Sequence, residues 1–257
     1  MADEQRTIEQ AVAVDGTPDE VWRAIATGPG ISSWYVPHTV VEETGGRLTA
    51  SFGPGMDVAG RVAVWDPPRR LVLDGGDEAP GLTFDWTVSV DPDGACTVQL
   101  VNGGFGTGAD AHYDAMTDGW ATFLTNLRLH LRHHRGASGV AALPMVPLDG
   151  ERSAVWARFW RDVGVEGPPT EGQRLVLAAD DAPTLVGTVE EVTPWRVSFV
   201  LDEPTPGTAF ISIEDHGERV AIAVWTYHYG PDAATAAERC QAGWGAWLEG
   251  RSSGVGG

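Results

Sequence analysis

The sequence contains no lysine. All 17 of its basic residues are arginine, set against 36 acidic residues, for a formal charge of −19. A surface this acidic repels phosphate backbones and anionic headgroups, which argues against nucleic acid and against membranes as partners. Cysteine is also scarce. Cys96 and Cys240 are too few for a disulfide scaffold, and they read as buried, idle thiols in a reducing compartment. No apolar run approaches the length of a membrane span. The opening MADEQRTIEQ is polar and acidic, unlike a signal peptide. A cytoplasmic protein is expected. The chain has 257 residues and is 42% hydrophobic, enough for one large domain or two ordinary ones.

The chain repeats itself. VDGTPDEVWRAI (Val14 to Ile25) has a worn echo in LDGERSAVWARF (Leu148 to Phe159), with Trp156 lying 134 residues after Trp22. Arg47, Gly60, Val62, Pro67 and Arg69 match Arg174, Gly187, Val189, Pro194 and Arg196 at a shift of 127. Gly119, Trp120 and Leu124 match Gly243, Trp244 and Leu248 at a shift of 124. Shifts that shrink stepwise in chain order indicate a duplicated domain whose second copy has lost residues. The predicted boundaries are a complete domain over 1–136, a linker over 137–147 and a trimmed copy over 148–257. The largest loss falls between Trp156 and Arg174, across the counterpart of the Trp34-Tyr35 segment.

Within the first copy, Arg6 to Val14 alternates and predicts a strand. Thr17, Pro18, Asp19 and Glu20 mark a helix start, and Gly28-Pro29-Gly30 its stop. Several short strands follow. In Leu82 to Val90, Leu82, Phe84, Trp86, Val88 and Val90 share one face, the pattern of an antiparallel sheet with one apolar side. A long helix over about 110–133 presents Tyr113, Met116, Trp120, Leu124, Leu127 and Leu131 as an apolar stripe. The fold class is therefore α+β, with each copy an antiparallel curved sheet wrapped around a long C-terminal helix.

The segments VDGTPDEVWRAIATGPGISSWYVP, GRVAVWDPPRRLVL, TVQLVNGGFG and DGWATFLTNLRLHL resemble the START-like (SRPBCC) superfamily. Within it they are similar to the family of homologues of the activator of heat-shock-protein ATPase. The resemblance covers roughly residues 6–135 well and 145–250 weakly. It implies two tandem helix-grip domains around an apolar pocket, and it spans ligand carriers, polyketide aromatase/cyclases and chaperone regulators. One departure stands out. Where such proteins often carry a His two residues before the Gly-Phe pair of the last strand, this chain has Asn102.

The predicted ligand-binding set is Trp34, Tyr35, Met56, Phe84, Trp86, Leu100, Asn102, Phe105, Tyr113 and Trp120, surrounding a small apolar or aromatic ligand. No catalytic set, metal or cofactor is expected. GFGTGA (Gly104 to Ala109) imitates a dinucleotide fingerprint but follows an antiparallel strand and lacks the acidic residue that should come about 20 residues later. His130 and His134 have metal-ligand spacing without a carboxylate or Cys beside them, and His38 reads as a solvated loop residue. The expected function is ligand binding, with a cyclase-like enzyme and a chaperone-ATPase regulator as alternatives. The two domains are expected to pack together in a monomer.

Overall fold

The computed structural model describes residues 6–53, 55–77, 79–105, 110–167 and 169–252. They form two compact units, Met1–Ser138 and Gly139–Gly257.

The first unit opens with β1 (Arg6–Val14) and α1 (Pro18–Ala26). Thr17 and Glu20 form a capping box. The Glu20 carboxylate accepts from the Thr17 N–H at 2.8 Å, and the Thr17 hydroxyl accepts from the Glu20 N–H at 3.4 Å. Gly28-Pro29-Gly30 does more than stop this helix. Thr27 caps a second, short helix, α2 (Gly28–Ser32), by accepting from the Gly30 N–H at 3.1 Å. A Cβ at Gly30 would sit 1.9 Å from the Arg23 carbonyl, so this fold-back requires glycine. Then come β2 (His38–Val40), β3 (Arg47–Ser51), β4 (Asp57–Asp66), β5 (Arg70–Gly75), β6 (Ala79–Val90), β7 (Cys96–Phe105) and α3 (Asp110–His133). The strands make one antiparallel sheet in the order β1-β7-β6-β5-β4-β3-β2. Helix α3 buries Trp120, Leu124, Leu127 and Leu131. It is tied to β1 by Gln10 Nε2 donating to the Thr117 carbonyl (2.8 Å) and by the Tyr113 hydroxyl donating to the Thr7 carbonyl (2.9 Å).

The second unit contains β8 (Gly139–Ala142), β9 (Met145–Leu148), α4 (Arg152–Asp162), β10 (Arg174–Leu177), β11 (Leu185–Thr193), β12 (Arg196–Glu203), β13 (Gly207–His216), β14 (Arg219–Tyr229) and α5 (Ala233–Ser252). Its sheet runs β10-β11-β12-β13-β14-β8, with β9 also paired to β14. This is the order of the first sheet, with β8 and β9 together in the place of β1. The stretch 137–147, expected as a linker, is thus mostly strand. Pro144 has no N–H to give to the ladder and splits one strand into two, which gives a sheet element the Gly- and Pro-bearing look of a connection. Among the described residues, nothing between α4 and β10 corresponds to α2 or β2, so the residue loss seen in the repeat falls on those two elements. The core is built on Phe159, Trp160, Phe199, Trp244, Trp247 and Leu248. Phe199 and Tyr227 are buried, and Trp156, Trp195 and Trp225 are partly buried.

The two cysteines, Cys96 and Cys240, are free and buried. Among the described residues no helix is long and apolar enough to cross a membrane.

Candidate functional site

In the first unit, a cavity of about 600 Å³ lies between the sheet and α3. Its wall is mostly aromatic. Trp34 and Tyr35 follow directly after α2, Phe84 and Trp86 come from β6, and Trp120 and Phe123 from α3. Tyr35 sits centrally, with ring centroids 4.2 Å from Phe123, 5.2 Å from Trp120 and 5.3 Å from His38. Trp86 meets both Trp34 (5.9 Å) and Trp120 (5.5 Å) edge to face. The rings are fixed from behind. Trp34 Nε1 donates to the Ala24 carbonyl at 2.9 Å, and Asn126 Nδ2 donates to the Trp34 carbonyl at 2.7 Å.

Five of the ten expected residues line this space: Trp34, Tyr35, Phe84, Trp86 and Trp120. Four of the others stand elsewhere. Leu100 is fully buried on β7, opposite Trp86 in register, and lies behind the wall. Asn102 is also fully buried. Its Nδ2 donates to the Thr83 carbonyl (2.9 Å), and its Oδ1 accepts from Trp120 Nε1 (3.0 Å), so it holds the Trp120 ring without lining the cavity. Tyr113 is engaged with β1, as described above. Met56 is 55% exposed on the β3–β4 turn. Phe52 N–H to Met56 carbonyl (3.1 Å) and Met56 N–H to Gly53 carbonyl (3.0 Å) close that turn, with Gly53 and Gly55 at positive φ, and the side chain is turned to solvent. The Phe105 side chain lies outside the described ones.

His38, expected to be solvated, is instead half-buried in the cavity wall. It begins β2 opposite Ala50, and its backbone N–H donates to Ser32 Oγ at 2.8 Å. Its Nδ1 lies 2.7 Å from the Val36 carbonyl. Burial pushes its pKa below the ordinary histidine value, against the smaller upward pull of that hydrogen bond. Burial pushes the Tyr35 hydroxyl pKa well up, so it stays protonated. Neither the Tyr35 hydroxyl nor His38 Nε2 makes a hydrogen bond among the described residues. The cavity's carboxylate, Asp74, is already engaged: its Oδ1 accepts from the Gly76 N–H at 2.8 Å and lies 3.6 Å from Arg61 Nε.

The other candidate features have structural roles. Gly104 lets β7 approach β6 closely, since a Cβ there would sit 2.2 Å from the Gly81 carbonyl; residues 106–109 of GFGTGA lie outside the described residues. His130 is buried, and burial first, then the nearby His134, lowers its pKa to about 4.

Residues 5–131 match the family described as polyketide cyclase/dehydrase and lipid transport. The match spans nearly all of the first unit, which has the START-like fold. Among solved structures, the chain is similar to the Aha1 dimer from Colwellia psychrerythraea at 16% identity and a TM-score of 0.44, over 49% of this chain and 96% of that one. DynU16, a protein in the dynemicin biosynthetic locus, matches at 16% identity and a TM-score of 0.44, over 96% of this chain and 97% of its own. CalU16 from Micromonospora echinospora matches at 21% identity and a TM-score of 0.42, over 50% of this chain and 75% of its own. Among curated proteins none matches the chain.

Proposed function

We propose that the START-like first unit binds a small apolar or aromatic ligand in the cavity between its sheet and α3. The observation that carries this reading is the cavity itself, about 600 Å³ with an aromatic wall. That volume falls within the range of small-molecule sites, and an apolar wall with a few polar groups is their usual composition. The experiment is native mass spectrometry of the full chain purified from its own cells, repeated after organic extraction. The expected result is a discrete adduct lost on extraction. A plugged variant, Gly119→Leu, supplies the control. Gly119 lines the cavity, and a Cβ there meets no atom within 4 Å, so leucine enters free space and should abolish the adduct. An adduct that survives the plug would refute the site.

A second reading, an enzyme of the polyketide cyclase or dehydratase kind, is favoured by His38 and Tyr35, whose unengaged polar atoms belong to a mostly apolar wall. Such an enzyme would turn its ligand over, so extraction would release a product distinct from an added precursor.

A further inference from the structure

We propose that the ligand is an aromatic molecule bearing a hydroxyl group, and that His38 Nε2 and the Tyr35 hydroxyl read that hydroxyl. This rests on the cavity of the START-like unit being a ligand site.

His38 Nδ1 lies 2.7 Å from the Val36 carbonyl oxygen. A carbonyl only accepts, so Nδ1 carries the proton and donates. The neutral ring then has a bare lone pair on Nε2. Burial, which disfavours the charged ring, keeps it neutral. The ring is also held in place. Ser32 Oγ accepts from the His38 N–H at 2.8 Å and donates to the Gly28 carbonyl at 2.7 Å, tying β2 to α2. His38 therefore presents a fixed acceptor in the cavity wall.

Tyr35 adds a hydroxyl that is protonated and has no hydrogen-bond partner among the described residues, with its ring 5.3 Å from that of His38. One fixed acceptor beside one hydroxyl fits a group that both donates and accepts, which is a hydroxyl. A carboxylate would put its lone pairs against that of Nε2, and a ketone or ether offers no proton. The rest of the ligand is set by the wall: Phe84, Trp120 and Phe123 present faces and edges suited to a flat ring.

The test uses the full chain and three probes of nearly equal shape: 2-naphthol, 2-methoxynaphthalene and naphthalene, followed by quenching of tryptophan fluorescence. A site built to hydrogen-bond a hydroxyl discriminates strongly against analogues that lack it. The expected result is that 2-naphthol binds about tenfold or more tightly than its methyl ether, as one well-placed hydrogen bond supplies. His38→Phe should bring that ratio near one while leaving the affinity for naphthalene in place, and Tyr35→Phe should reduce it in part. If His38→Phe does not fold, nitrogen NMR of histidine-labelled wild-type protein replaces it: the His38 Nε2 resonance should shift with 2-naphthol and not with the ether. Equal binding of all three probes would overturn the inference and leave the cavity reading standing. Failure of all three to bind would overturn both.

Discussion

Gly119 and Gly243 occupy matched positions in the long helices of the two units, and their surroundings are opposite. A Cβ at Gly119 would meet nothing within 4 Å, whereas one at Gly243 would lie 2.8 Å from Ala182 Cα and 2.9 Å from the Asp181 carbonyl. In the second unit the segment between β10 and β11 folds onto α5, and Trp244 Nε1 donates to the Pro183 carbonyl at 3.1 Å. In the first unit the corresponding turn, between β3 and β4, leaves Phe52 and Met56 exposed. The sheets have the same strand order. The tryptophan that follows the matched glycine borders the cavity in the first unit and sits in solid core in the second. The cavity lies where the β3–β4 turn leaves the helix uncovered and the residues between α2 and β2 form part of its wall, whereas in the second unit a loop docks on the helix at the matched place.

The largest expected effect that sharpens this contrast is at the paired tryptophans. Trp244→Ala should cost about 3–5 kcal/mol, as for a large side chain removed from a packed core. Trp120→Ala should cost less, because that ring already borders free volume. Denaturant unfolding followed by circular dichroism measures both, and equal losses would mean that the two environments do not differ as described.

Acid comes next, and it should treat the units alike. His130 in the first and His228 in the second both have pKa values lowered to about 4, burial being the first cause in each. The unfolded chain binds protons near pH 6.5 that these folded, neutral rings refuse. Stability is therefore complete above about pH 6.5 and falls as pH drops towards 4, by on the order of 3 kcal/mol for each histidine. Melting temperature measured across that window should show the fall, and His228→Gln should flatten it in part.

The glycine pair itself gives smaller shifts of opposite sign. Gly119→Ala should stabilise by about 0.5–1 kcal/mol, since it removes a glycine from a helix interior without a clash. Gly243→Ala should destabilise by about 1–3 kcal/mol through overpacking. Two shifts of the same sign in thermal melts would break the comparison. Of similar size to the Gly119 shift is Tyr113→Phe, which removes the hydrogen bond to the Thr7 carbonyl. It should cost about 0.5–1.5 kcal/mol and leave probe binding unchanged in the same titrations.

The long elements were legible in the sequence because their patterns repeat often enough to be unambiguous. β1 and α3 fall at their expected places, and Thr17 caps α1 as read. The short elements were not. α2 is one turn held by a single capping hydroxyl, and β8 and β9 are hidden by Pro144. For the site, alternation told which face of a strand looks inward but not how far a residue lies from the free space. Leu100 and Asn102 therefore share the face of the cavity-lining residues and yet stand behind them. His38 was missed because a histidine beside a turn looks solvated. A signal existed: β2 pairs His38 with Ala50 and Val40 with Leu48, and Ala50 and Leu48 both border the cavity.

The split strand made by Pro144 also bears on how the protein can be divided. β14 is buried along nearly its whole length and is flanked on one side by β13 and on the other by β8 and β9. A chain begun at Leu148, where the repeat becomes readable, would leave that second side almost bare. It would expose a row of unpaired N–H and C=O groups along an apolar strand, the usual template for edge-to-edge aggregation. Begun at Gly139, the same half keeps both covering strands, so nine residues separate a domain with a guarded edge from one prone to assemble with its own copies.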